Sequence, residues 1–122
     1  MTDYSKMSDF EINLKVAHII LGSGSYDWNN DVKEVYLAGI DGGEFLPNGY
    51  FNPCNNPADA WPIISQNRIS IMFDGTSPEY EGEYNEWCDA ISSCQRFGVQ
   101  HQSNPLRAAM VVFLMMKGAE KC

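Results

Sequence analysis

The residues of this 122-residue chain that could do chemistry are few. Cys54 stands just before Asn55-Asn56-Pro57, where a helix start would stabilise a thiolate. A nucleophile also needs a base, and His18 and His101 are the only histidines, so an ordinary thiol is the expectation. Cys88, Cys94 and His101 lack the Cys-x-x-Cys spacing that sets thiolates around zinc, and no metal is expected. Gly22-Ser23-Gly24 resembles part of a phosphate cradle. The third glycine of a dinucleotide fingerprint is missing, since position 27 is Asp27, and the motif follows a helical pattern where a strand would be needed. The carboxylates between 79 and 89 do not alternate as a calcium loop requires; they read as a solvated acidic loop, whose charge would also permit mimicry of a nucleic acid. With no nucleophile and base, poised carboxylate pair or metal set, the sequence predicts no cofactor and no enzyme.

Arg107 is the electrostatic anomaly. Asn104-Pro105 reads as a helix cap followed by proline at the first helical position, which puts Arg107 at the third position. The same position holds Glu11 in the first predicted helix and Asp59 in the second. A cation beside the positive helix end costs about 0.3–1 kcal/mol unless an anion offsets it. The partner is expected to be a protein carboxylate, such as Asp59 or one from the acidic loop. The alternative is an anionic ligand held by Arg107 and the free N–H groups of the helix start.

These residues need elements to position them. Ser8 and Glu11 are spaced as a capping box, and Phe10, Leu14, Ala17 and Leu21 return at helical spacing until Gly22. Glu11, Lys15 and His18 form the polar stripe of that helix. Residues 22–31 read as a loop, 32–38 as a strand ending at Asp41-Gly42-Gly43, and 41–56 as a long connection bearing Phe45, Tyr50 and Phe51. Asn56-Pro57 opens a helix over about 57–66, with Pro62 costing one hydrogen bond. Ile69, Ile71 and Phe73 mark one face of a strand, and a further strand runs from about Trp87 to Ile91. A polar connection then leads to Ser103. The last helix, to about Lys117, is apolar all round from Ala108 to Met116. It is too short to span a bilayer, and must be the central core helix or half of a dimer interface. The fold expected is α+β: one domain over 1–122, a small three-stranded sheet and about three helices, the C-terminal one central. Trp61 and Trp87 are expected in the core. Trp28, in a polar loop, is expected at the surface as a contact residue, with Tyr50 beside it in that role.

The formal net charge is −8, and the arginines are only Arg68, Arg96 and Arg107. That balance disfavours direct nucleic-acid binding. No apolar run reaches membrane-spanning length, and Met1 to Tyr4 do not open a signal peptide. Cys54, Cys88, Cys94 and Cys122 read as reduced cytosolic thiols.

DYSKMSDFEIN (Asp3 to Asn13), FNPCNNPADAWPII (Phe51 to Ile64) with RISI (Arg68 to Ile71), Glu86-Trp87-Cys88 and NPLRAAMVVFLMM (Asn104 to Met116) together resemble the NinX-like proteins of lambdoid phages and prophages. The resemblance implies a phage accessory protein of unknown function working in the host cytoplasm. The matching blocks hold Asn55, Asn56, Asp59, Trp61, Asn104 and Arg107, which would form one polar constellation if the two Asn-Pro helix starts faced one another. The function expected is a non-enzymatic binding module that modulates a host or phage protein. The alternative is a small-ligand binder sequestering an anionic, nucleotide-like molecule at those helix starts. A homodimer is possible under either.

Overall fold

The computed structural model describes residues 4–22, 24–37, 49–75 and 86–118. A short 3-10 turn at Tyr4–Lys6 precedes α1 (Asp9–Leu21). The hairpin strands β1 (Tyr26–Asn29) and β2 (Glu34–Leu37) come next, and then α2 (Pro57–Gln66). Strands β3 (Ser70–Gly75), β4 (Glu86–Ile91) and β5 (Gly98–Gln102) follow, before α3 (Pro105–Gly118). The strands form two antiparallel sheets, β1-β2 and β3-β4-β5. The expected α+β mix is therefore present, with three helices and a three-stranded sheet.

Helix ends follow their capping chemistry. The Ser8 hydroxyl accepts from the Glu11 N–H at 3.2 Å and Glu11 reaches back to Ser8, completing the capping box. At the other end Gly22, with φ 84°, donates its N–H to His18 O at 3.2 Å. α2 starts at Pro57 with Asn56 as its cap, and tolerates Pro62 in its interior. α3 starts at Pro105, and Asn104 accepts from the N–H groups of Leu106 and Arg107 at 3.0 and 3.1 Å.

α3 is the centre of the molecule. Ala108 to Leu114 are all buried, none more than 2% exposed. The helix packs on β3, β4 and β5 on one side, and on α1, α2 and the N-terminal turn on the other. A helix apolar on every side needs neighbours on every side, and these elements supply them within one chain. Of its two readings, core helix or dimer interface, the structure realises the core helix.

The sequence reading departs from the structure in several places. Residues 22–31, read as a loop, contain β1, because Tyr26 and Trp28 alternate with polar residues and pair with Leu37 and Val35 across a turn closed by Lys33 at φ 58°. The connection before Ser103 contains β5; its first residue, Gly98, lies so close to β4 that an added Cβ would sit 3.1 Å from Ala90 O, so a glycine that looks like a loop residue marks strand contact. The strand expected at 32–38 pairs with β1 and is not part of the three-stranded sheet. α1 buries Ile12, Asn13, Val16 and Ala17, a face rotated from the expected Phe10–Leu14–Ala17–Leu21 stripe, while Phe10, Leu14 and Leu21 pack at its margin. Trp61 is 66% exposed and Phe73 75% exposed, so neither is core. Cys54 and Cys88 are free buried thiols, whereas Cys94 is disulfide-bonded, against the reading of all four cysteines as reduced. The turn at 41–43, Phe45, most of the acidic loop and Cys122 lie outside the described residues.

Candidate functional site

The three helix starts meet at one place, and asparagines tie them together. From α1, the buried Asn13 donates its Nδ2 to Asn52 Oδ1 at 2.8 Å and accepts from the Cys54 N–H at 3.0 Å. Asn55 donates to Asn52 Oδ1 and to Asp9 Oδ2, both at 3.2 Å. The α3 cap, Asn104, uses its oxygen on its own helix and donates its Nδ2 to Cys54 O at 2.8 Å and Asn55 Oδ1 at 3.1 Å. Asp59 accepts from the Asn52 N–H at 2.9 Å and from Asn56 Nδ2 at 3.3 Å, while Asn56 caps α2 by accepting from the Ala58 N–H at 3.0 Å. Asparagine suits this junction because one planar amide accepts and donates at once, so each cap can also bond a neighbouring segment.

Arg107 completes the junction. Its guanidinium lies 2.6 Å from Asp9 Oδ1 and also donates to Met7 O. The cation at the third position of α3 is thus offset by a carboxylate at the first position of α1, where a negative charge is itself favoured. The partner is a protein carboxylate, as expected, but it is Asp9; Asp59 is engaged at the α2 start instead. The Cys54 thiol, beneath this cluster, is pushed up to about 12, first by burial and then by the Asp9 carboxylate, with Arg107 opposing. A thiol so held is protonated and unreactive at neutral pH.

The remaining candidate residues lie elsewhere. Trp28 on β1 and Tyr50, which bridges to Tyr36 on β2, border a concave surface of ≈ 660 Å³ shared with Asp27, Asn29 and Asp31. Trp28 is 44% and Tyr50 48% exposed. The Tyr36 and Tyr50 ring centres are 5.2 Å apart, and the Glu34 carboxylate beside Tyr50 raises its phenol above the usual range. On its other side Tyr50 borders a cleft of ≈ 630 Å³ that reaches Asp9, Asn13, Asn52 and Asn55; Asn56, Asn104 and Arg107 are not among its lining residues. The structure therefore brings Asn55, Asn56, Asp59, Asn104 and Arg107 into one hydrogen-bonded junction and sets Trp28 on a separate face, with Tyr50 between the two. Sequence reasoning did not single out Asp9, Asn13 or Asn52. One signal was there: Asp9 and Asn13 are four residues apart, hence on one helix face, and that face otherwise reads Ile12-Val16.

Among the described residues no group of three or more His, Cys, Asp or Glu side chains is placed to hold a metal ion, and no helix is long and apolar enough to cross a membrane. The Cys88 thiol donates to Gln102 O at 3.2 Å, and His18 Nδ1 lies 3.0 Å from the Tyr26 hydroxyl at the surface.

A small α+β chain with three braced helix starts is, by its sequence, a phage protein: residues 3–117 match the family described as Bacteriophage P22, NinX. The chain belongs to that family. No curated protein and no solved structure matches it.

Proposed function

We propose that this protein is a non-enzymatic binding module of a phage that modulates a host or phage protein in the host cytoplasm, docking through the face formed by Trp28, Tyr36 and Tyr50. The observation that carries this reading is the half-exposed Trp28 and Tyr50 on the rim of one concave surface. Large rings held by a hairpin bury much area at small cost in side-chain freedom, which is the chemistry of interface anchors. Asp27 and Asp31 on the same rim favour a partner with basic groups there. The absence of catalysis is supported by the Cys54 thiol, buried and protonated, and by a surface His18 engaged with Tyr26. The alternative, an anionic ligand at Asn56, Asn104 and Arg107, has less support because those side chains are engaged with Asp59, Cys54, Asn55 and Asp9.

The test is native mass spectrometry of tagged protein purified from phage-infected cells, comparing wild type, the double variant Trp28→Ala/Tyr50→Ala, and Arg107→Ala. A stoichiometric protein partner retained by Arg107→Ala and lost from the double variant is the expected result. Undiminished capture by the double variant would overturn the docking face, and a small anion lost from Arg107→Ala would establish the alternative.

A further inference from the structure

β3 is an edge strand. Ser70–Gly75 pairs only with β4, and among the described residues no segment bonds to its other side. Natural edge strands are commonly guarded by lysine, proline, a bulge or a cover. β3 reads Ser-Ile-Met-Phe-Asp-Gly, and has neither lysine nor proline. Its pairing with β4 is continuous from Ser70 to Gly75, and the register shift in this sheet falls between β4 and β5. Met72 is 51% and Phe73 75% exposed.

The faces of β3 can be assigned. Ile71 lies opposite Ala90, and Phe73 opposite Cys88, and both partners are buried, so Ile71 and Phe73 share the face that turns toward α3. Ser70, Met72 and Asp74 are on the other face. Phe73 therefore extends the apolar side of the sheet past the part that the described residues cover.

We propose that β3 pairs antiparallel with β3 of a second copy, joining two three-stranded sheets into one about a two-fold axis through Met72. A two-fold axis perpendicular to a sheet keeps every residue on its own face, so opposed residues must be of equal parity and the axis must pass through a residue. Centred on Met72, the register sets Ile71 against Phe73 of the second copy on the α3 side, twice. On the outer face it sets Met72 against Met72 and Ser70 against Asp74. Aliphatic-aromatic cross-strand pairs are favourable, and the carboxylate faces a hydroxyl. Centred on Phe73, the pairing would put Met72 against Asp74 and leave Ile71 against Gly75. Centred on Ile71, it would overlap least, because Arg68, with φ 53°, is outside the strand. The sequence of the edge complements itself best in one register, which is why a second copy is the occupant argued for. Each copy carries a formal charge of −8, so like-charge repulsion opposes the dimer and salt tightens it.

The test is analytical ultracentrifugation of the full chain across a concentration series at about 50 and about 500 mM salt, a range over which the screening length falls severalfold. The expected result is a monomer–dimer equilibrium that tightens with salt. Met72→Lys, which sets two like charges against each other at the axis, weakens it by roughly tenfold or more while the far-UV circular dichroism is unchanged. Met72→Cys forms an intermolecular disulfide under mild oxidation and Phe73→Cys does not, because only the axis residue meets its own copy at bonding distance. A wild-type chain that stays monomeric throughout overturns the proposal. So does a dimer indifferent to Met72→Lys, or one cross-linked through Phe73→Cys in preference to Met72→Cys. None of these outcomes depends on the docking face proposed above.

Discussion

The junction of the helix starts and the β1-β2 face use polar and aromatic residues in opposite ways. At the junction, Asn13, Asn52, Asn55, Asn104, Asp9 and Arg107 bond to one another and to the chain, so their polarity holds three helices and a loop in one arrangement. On the face formed by the hairpin and Tyr50, Trp28 and Tyr50 leave nearly half their surface in water, beyond what the core requires. A residue can be chemically conspicuous in the sequence and structurally fully occupied, as Arg107 is; Trp28 is conspicuous and has surface to spare. The first condition points to stability and the second to recognition.

The comparison is most exposed at Asn13. Asn13→Leu removes the acceptor for the buried Cys54 N–H and the donor to Asn52, and is expected to cost about 3 kcal/mol and to lower Tm by about 10 °C in calorimetry. A loss under about 1 kcal/mol would mean that the amide junction is not what holds the helix starts. Arg107→Ala removes the cation offsetting the Asp9 carboxylate, which keeps its bond from Asn55, and the donor to the Met7 carbonyl; it is expected to cost about 1–2 kcal/mol, with Arg107→Lys recovering part, in urea unfolding. Cys54 sharpens the same region through pH. Its thiol titrates at about 12 in the folded chain against 9.0 for an ordinary thiol, so the folded state holds the proton longer than the unfolded one. That contribution is complete below pH 9.0 and is lost as pH rises toward about 12. Urea unfolding at about pH 8 and about pH 10.5 should show stability falling, with a shallower fall in Cys54→Ala. The smallest effect is expected on the aromatic side: Trp28→Ala and Trp61→Ala should each change stability by less than about 0.5 kcal/mol, and a Trp28→Ala chain that unfolds early would move that residue into the structural class.

Capping chemistry made the helices legible. Ser8, Asn56-Pro57 and Asn104-Pro105 each stand where a helix begins, because an N-terminal N–H without an intrahelical partner demands a nearby oxygen whatever the tertiary context. The apolar run of α3 likewise requires burial on all sides. The strands were less legible. β1 and β5 lie among Gly, Ser, Asn and Gln, and half-exposed edge strands need little apolar content, so the period of two is faint there. The partner of Arg107 was legible as to kind and not as to identity: an unfavourably placed cation requires an anion, but a contact spanning from Asp9 to Arg107 is decided by how α1 and α3 cross. Trp61 misled because ring size predicts burial only on average, and its face of α2 turns to water.

The central position of α3 governs the order in which the chain can complete itself. During synthesis, residues 9–102 emerge with Ile12, Val16, Ile63, Ile64 and Ala90 prepared for burial, while the helix that covers them is still to be made. Until residues 105–118 arrive, α1, α2 and the β3-β4-β5 sheet lack the helix on which they all pack, and the junction at Asn55 lacks its Asn104 partner. A chain ending before Pro105 would therefore leave exposed the apolar residues that α3 covers.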